Sequence, residues 1–156
     1  MIQDIRAEYD RTFLHRPPEP RDPVICCRGG TVCVSGQNPL VFPVAADFEP
    51  ASLTYLFRVD GESYYLADGE PGGGHDWLDR RALRMAVPQT RAFAAATGLH
   101  LNYWYTHTRF CGRCGQPMRP SETERAMVCP ACKNTVYPII APAVIIGVVR
   151  QGSILV

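Results

Sequence analysis

The side chains best spaced for chemistry are four cysteines, arranged as Cys111-x2-Cys114, fourteen intervening residues, then Cys129-x2-Cys132. Two residues between ligands let a tight knuckle aim both sulfurs at one point, and the glycine in "CGRCG" permits the unusual backbone angles of the turn. Two knuckles on facing hairpins predict a tetrahedral four-sulfur site, with a spacer just under the usual range for paired CxxC zinc sites. A closed tetrathiolate leaves no open coordination position, so its metal folds the segment and does not hydrolyse anything. Zinc is the usual occupant of such ribbons, although iron uses the same ligands and the sulfurs alone leave both open. A thioredoxin-type site needs one CxxC at a helix start, whereas two matched pairs here flank a strand-like "RAMVC". "SETE" (121–124) has the form of a helix-capping box, but only four residues separate it from Cys129, too few for a helix. Cys26, Cys27 and Cys33 lie in strand-like sequence and read as buried small apolar residues.

Composition narrows what else the 156 residues do. Hydrophobic residues make up 46% and charged ones 20%, as in ordinary soluble globular proteins, so a packed core is expected. Sixteen basic against fifteen acidic side chains leave no overall field to steer the molecule to nucleic acid or an anionic membrane, which points to a localised site. "MIQDIRAEYDRTFLHR" lacks the apolar centre of a signal peptide and "VIIGVV" is far short of the roughly 20 residues that span a bilayer. A cytoplasmic protein without membrane association is therefore expected. Seven cysteines are an odd number, which argues against a fully paired disulfide framework.

The elements that must position the cysteines follow from pattern. Residues 1–16 suit a short helix, ended by "RPPEPRDP". "VICCRGGTVCVSG", "PLVFPVAADF" and "SLTYLFRVDGESYYLAD" read as short strands of a small antiparallel β region, with Asp60-Gly61 as a hairpin turn. "GEPGGGHDW" (69–77) is a plain loop, since no Gly-Lys-Ser/Thr follows its glycines. From Pro88, the steps of three or four among Phe93, Thr97, Leu101, Trp104 and Thr108 predict a helix, although Gly98 weakens it; Trp104 and its tyrosine neighbours belong to a core or an interface. Ala143–Val149 is an apolar run of strand length, "RQGS" a turn, and Ile154–Val156 the opening of another strand, so the chain reads as a piece of something longer. The expected class is α+β: a β-rich domain over 1–87, a connecting helix over 88–110, a zinc ribbon over 111–138, and over 139–156 the first strands of an α/β/α domain.

"RFCGRCGQPMRPSETERAMVCPACKNTVYPIIAPAVIIGVVR" resembles the zinc ribbon and first catalytic-domain strand of the NADH pyrophosphatases, a branch of the Nudix hydrolases. The likeness rests on Trp104, on Phe110 to Gly115, on Cys129 to Cys132, and on "VYPIIAPAVIIGVV". It covers about residues 76–156, while residues 1–75 are only compatible with that family's variable amino-terminal domain. The resemblance implies a parent enzyme that hydrolyses the pyrophosphate of NADH or NAD to nicotinamide mononucleotide and AMP, and it leaves open which of NADH, NAD and NAD-capped RNA is preferred. It also implies structural zinc on Cys111, Cys114, Cys129 and Cys132, Mg or Mn on the carboxylates of a Nudix box, and a homodimer. No Arg-Glu dipeptide occurs in the chain, so no catalytic residue is assigned and this portion alone is expected to be inactive. Motif register assigns Glu124 and Tyr137 to the dinucleotide site and matches Arg81 to a substrate-contacting arginine. Ile139 stands where "YPR" has its arginine. The competing reading is a free-standing zinc-ribbon module that binds nucleic acid or protein. Arg109, Arg113, Arg119, Arg125 and Lys133 oppose only Glu122 and Glu124 there, but this excess is thinner than the dense basic stripe of a nucleic-acid binder.

Overall fold

A computed structural model describes residues 4–139, 146–150 and 152–155. Its strands are β1 (Tyr9–Asp10), β2 (Val24–Ile25), β3 (Cys27–Arg28), β4 (Thr31–Val34), β5 (Gly36–Gln37), β6 (Leu40–Val41), β7 (Leu53–Val59), β8 (Glu62–Ala67) and β9 (Asp76–Asp79). The helix α1 (Gln89–His107) follows, then β10 (Arg119–Pro120), β11 (Met127–Val128), β12 (Thr135–Val136), β13 (Val148–Arg150) and β14 (Ser153–Leu155). The class is α+β. One sheet has the order β1-β7-β8-β2, a second β3-β4-β9, and β10-β11-β12 form the sheet of the cysteine region. β7 and β8 are joined by the Asp60-Gly61 turn, with Val59 opposite Glu62.

Side-chain alternation in these strands sorts residues between two apolar clusters, as the period of a strand requires. Ile25, Val32, Val34, Tyr64 and Leu66 face the cluster shared with α1, while Val24, Cys26, Cys33, Tyr65 and Ala67 face the other. β7 breaks the rule: Tyr55 joins the second cluster, but Leu56 and Phe57 both join the first. The cause is a β-bulge, since Tyr55 pairs with Tyr65 and Phe57 with Tyr64, which leaves Leu56 outside the ladder.

α1 is held to the sheets by a very close approach. A β-carbon at Gly98 would sit 2.5 Å from Ile25 Cδ1 and 2.9 Å from its Cγ2, so the residue that weakens the helix by propensity is the one that lets it pack. In its first turn Arg91 donates to Glu62 Oε1 at 2.8 Å and to the Leu40 carbonyl at 3.2 Å, and Tyr64 donates to Glu62 Oε2 at 2.8 Å. These bonds tie the helix start to β6 and β8.

Four expectations are changed. Residues 4–16 contain no helix; Tyr9–Asp10 instead pair with β7, and the Tyr9 ring meets Phe57 and Phe93 edge-on at 5.6 and 5.0 Å. A short helix must meet its nucleation cost alone, whereas pairing to an existing edge shares it. β2 joins β8 in parallel within an otherwise antiparallel region. Asp76 and Trp77 leave the expected loop for β9, where Trp77 lies opposite Cys33 and the Arg28 guanidinium sits 4.2 Å over its ring. Ala45–Asp47, expected to be extended, form a single 3₁₀ turn stabilised by the Asp47 carboxylate accepting from the Val44 N–H at 3.0 Å. The expected strand over Ala143–Val149 falls partly on 143–145, which lie outside the described residues; from Val148 it pairs with β14. Among the described residues no helix is long and apolar enough to cross a membrane.

Candidate metal centre and the residues beside it

The cysteine region is built from two nearly identical knuckles. In the first, the Gly115 N–H donates to the Cys111 carbonyl at 2.8 Å and the Cys111 N–H to the Gln116 carbonyl at 2.8 Å. In the second, the Lys133 N–H donates to the Cys129 carbonyl at 2.9 Å and the Cys129 N–H to the Asn134 carbonyl at 2.9 Å. The residue after each second cysteine has positive φ, 75° at Gly115 and 61° at Lys133. Glycine accepts that conformation freely and lysine does not.

These turns converge the four sulfurs of Cys111, Cys114, Cys129 and Cys132, all within 4.8 Å of one another. Cys111 and Cys132 are 3.6 Å apart and Cys114 and Cys129 3.5 Å. Zinc–sulfur bonds of about 2.3 Å in a tetrahedron require sulfurs roughly 3.8 Å apart, so the cage has the right size. Its electrostatics also call for a cation. The Arg113 N–H lowers the Cys111 thiol to about 6, and the Cys132 N–H lowers Cys129. Cys114, although the Gln116 N–H pulls it down, is pushed up to about 12 by its hydrogen-bonded neighbours. Four thiolates this close are stable together only around a positive ion. The Asn134 amide, 3.6 Å from Cys111 Sγ, adds a donor aimed at the same sulfur.

The apolar core of the ribbon itself is small. Its apolar cluster consists of Trp104, Cys111, Met118, Met127 and Cys129, so two of the five members are metal ligands. Cys26, Cys27 and Cys33 stand apart from the cage. Cys26 and Cys33 are fully buried, the Cys26 thiol donates to the Gly69 carbonyl at 2.9 Å, and burial pushes the Cys26 and Cys27 thiols up to about 12. They act as core residues and not as nucleophiles.

Two of the three residues assigned to substrate lie together. The Tyr137 hydroxyl donates to Glu124 Oε1 at 3.0 Å on the exposed side of the ribbon, and this bond raises the Tyr137 phenol above its ordinary range. Arg81 precedes a 3₁₀ turn after β9 and its N–H bonds Asp79 Oδ1 at 2.8 Å; among the described residues no hydrogen bond or ion pair joins it to Glu124 or Tyr137. Sequence reasoning overlooked two further residues. His15 Nε2 lies 2.7 Å from the Glu122 carbonyl, and the Arg125 guanidinium donates to the carbonyl of Leu56 at the bulge. The signal for the second was the unbroken apolar run "YLF" in a strand that otherwise alternates. A groove of about 1180 Å³ opens where the ribbon meets the sheet, lined among others by Phe13, Tyr55, Tyr105, Arg109, Phe110 and Met127.

Comparison with known proteins agrees with this geometry. Residues 107–137 match the domain family described as NADH pyrophosphatase zinc ribbon domain. Proteins called NAD-capped RNA hydrolase NudC from Salmonella typhi, Salmonella paratyphi B and Salmonella newport are each 38% identical over 115 residues, covering 68% of this chain and 44% of theirs. The chain thus spans less than half the length of the curated relatives it matches. Knuckles, cage and similarity together identify a structural zinc ribbon, and the chain corresponds to the amino-terminal and zinc-ribbon portion of the NADH pyrophosphatase family.

Proposed function

We propose that this chain is the non-catalytic portion of a Nudix hydrolase that cleaves the diphosphate of NADH, NAD or an NAD-capped RNA, releasing nicotinamide mononucleotide and AMP or a 5′-monophosphate end. The single observation that carries the reading is the Glu124–Tyr137 hydrogen bond, which places a carboxylate and a phenol side by side beside a cage of the NADH pyrophosphatase kind. In this role the Glu124 oxygen not used by Tyr137 accepts from a ribose hydroxyl, and the exposed Tyr137 ring offers a face for a base. Zinc on the four cysteines holds the two knuckles in register and takes no part in the reaction. Mg or Mn, on carboxylates supplied outside this chain, would neutralise the diphosphate and activate water. By motif register Arg81 is assigned a substrate contact as well. A homodimer in the cytoplasm completes the proposal.

The test compares this chain with the same chain extended by a downstream catalytic domain, each supplied with NADH and Mg or Mn. Hydrolysis by the extended protein and none by the chain alone is expected. In the extended protein Glu124→Gln should raise KM for NADH by about tenfold, roughly the worth of one charge-assisted hydrogen bond. An extended protein that leaves NADH intact, beside a short chain that binds RNA with a steep salt dependence, would overturn the enzyme in favour of a binding module.

A further inference from the structure

The loop that carries Glu124 is fastened to the amino-terminal domain on both sides of that residue. It runs from Ser121 to Ala126 between β10 and β11, and it has little support of its own: the Ser121 N–H donates to the Ala126 carbonyl and the Ala126 N–H to the Glu124 carbonyl, both at 2.8 Å. Two residues before Glu124, the Glu122 carbonyl meets His15 Nε2. One residue after it, Arg125 reaches the Leu56 carbonyl, which the bulge removes from the β7–β8 ladder. Arg125 is half-buried in an aromatic setting, and its charge is felt at three phenols. Burial raises Tyr9, Tyr55 and Tyr105, and Arg125 offsets part of the rise in each.

We infer that His15 and Arg125 are positioning residues: together they clamp the 121–126 loop to the amino-terminal domain, Arg125 to its sheet and His15 from the segment after β1, and so fix the Glu124 carboxylate where Tyr137 and the dinucleotide meet it. This inference rests on the proposed role of Glu124 and gives residues 4–80 a task in that reaction. The physical basis is preorganisation. A carboxylate on a free hairpin loop loses conformational entropy when it binds, whereas one anchored at both flanks has lost it already. A cation is suited to the second anchor because a guanidinium retains its charge when half-buried and can still satisfy a carbonyl.

The experiment uses the chain extended by its catalytic domain for kinetics and the zinc-loaded chain for NMR. Arg125→Met and His15→Ala should each raise KM for NADH by about threefold to tenfold with kcat within about twofold, the pattern of weakened binding without loss of chemistry. Arg125→Lys should recover part of the loss, and the Tyr137 ring resonances should move in Arg125→Met as they do in Glu124→Gln. His15 is exposed, so its variant reports even if Arg125→Met folds poorly. Unchanged KM and unmoved Tyr137 resonances, with only a lower melting temperature, would show that the clamps merely attach the ribbon and would overturn the inference alone. Unchanged KM in Glu124→Gln would instead overturn the site reading, and the clamp with it.

Discussion

The amino-terminal sheet and the ribbon solve the same problem by opposite means. In the first, Val24, Ile25, Leu40, Leu56, Tyr64 and Tyr65 are wholly withdrawn from water, on both faces of a sheet and beneath a 19-residue helix. In the second, three strands of two residues each surround a cluster in which sulfur ligands replace aliphatic side chains. The amino-terminal domain is large enough to fold by burying apolar surface, and the ribbon is not. A shared α1 joins them: Ala94, Ala95 and Leu101 belong to the first cluster and Trp104 to the ribbon's.

That contrast breaks most visibly if the metal is removed. Structural zinc contributes on the order of 10 to 16 kcal/mol in small zinc peptides, so chelation, or Cys129→Ser, should unfold the ribbon while the β domain stays intact. The two tryptophans report separately: Trp104 emission should shift red and Trp77 should not, which single Trp→Phe variants would resolve. Loss of amide protection in β7 and β8 on chelation would show that the two regions are one cooperative unit after all. Next in size, Gly98→Ala forces a methyl into Ile25, costing about 1 to 3 kcal/mol of overpacking against about 1 kcal/mol of helix propensity gained. A lower melting temperature of the β domain, partly rescued by Ile25→Val and without effect on zinc affinity, is expected.

The knuckles supply the smallest and sharpest effects. Gly115→Ala should cost about 1 kcal/mol, since only the backbone objects, and Lys133→Gly should gain up to about 1 kcal/mol by removing the same objection. Competition with a chromogenic chelator would read both as opposite changes in zinc affinity. Equal effects of the same sign would mean that the two turns are not equivalent.

Much of this was legible in the residues. The cage follows from spacing alone because a CxxC knuckle is a local structure, decided within six residues, and the Asp60-Gly61 hairpin is local for the same reason. The edge strand at Tyr9, the parallel place of β2 and the clamps at His15 and Arg125 were not legible, because each joins residues distant in the chain. Gly98 shows how a correct local rule misleads: its poor propensity is real, and a contact with Ile25, 73 positions earlier, outweighs it.

The irregularity in β7 also constrains how this protein can be improved. Deleting Leu56 would let the strand alternate evenly and pair without interruption, which by the usual measures is a better sheet. The same edit would take away the free carbonyl on which Arg125 rests. An engineer drawn towards that regular strand would give up with it a leucine wholly buried in the core as well as the domain's grip on its neighbour.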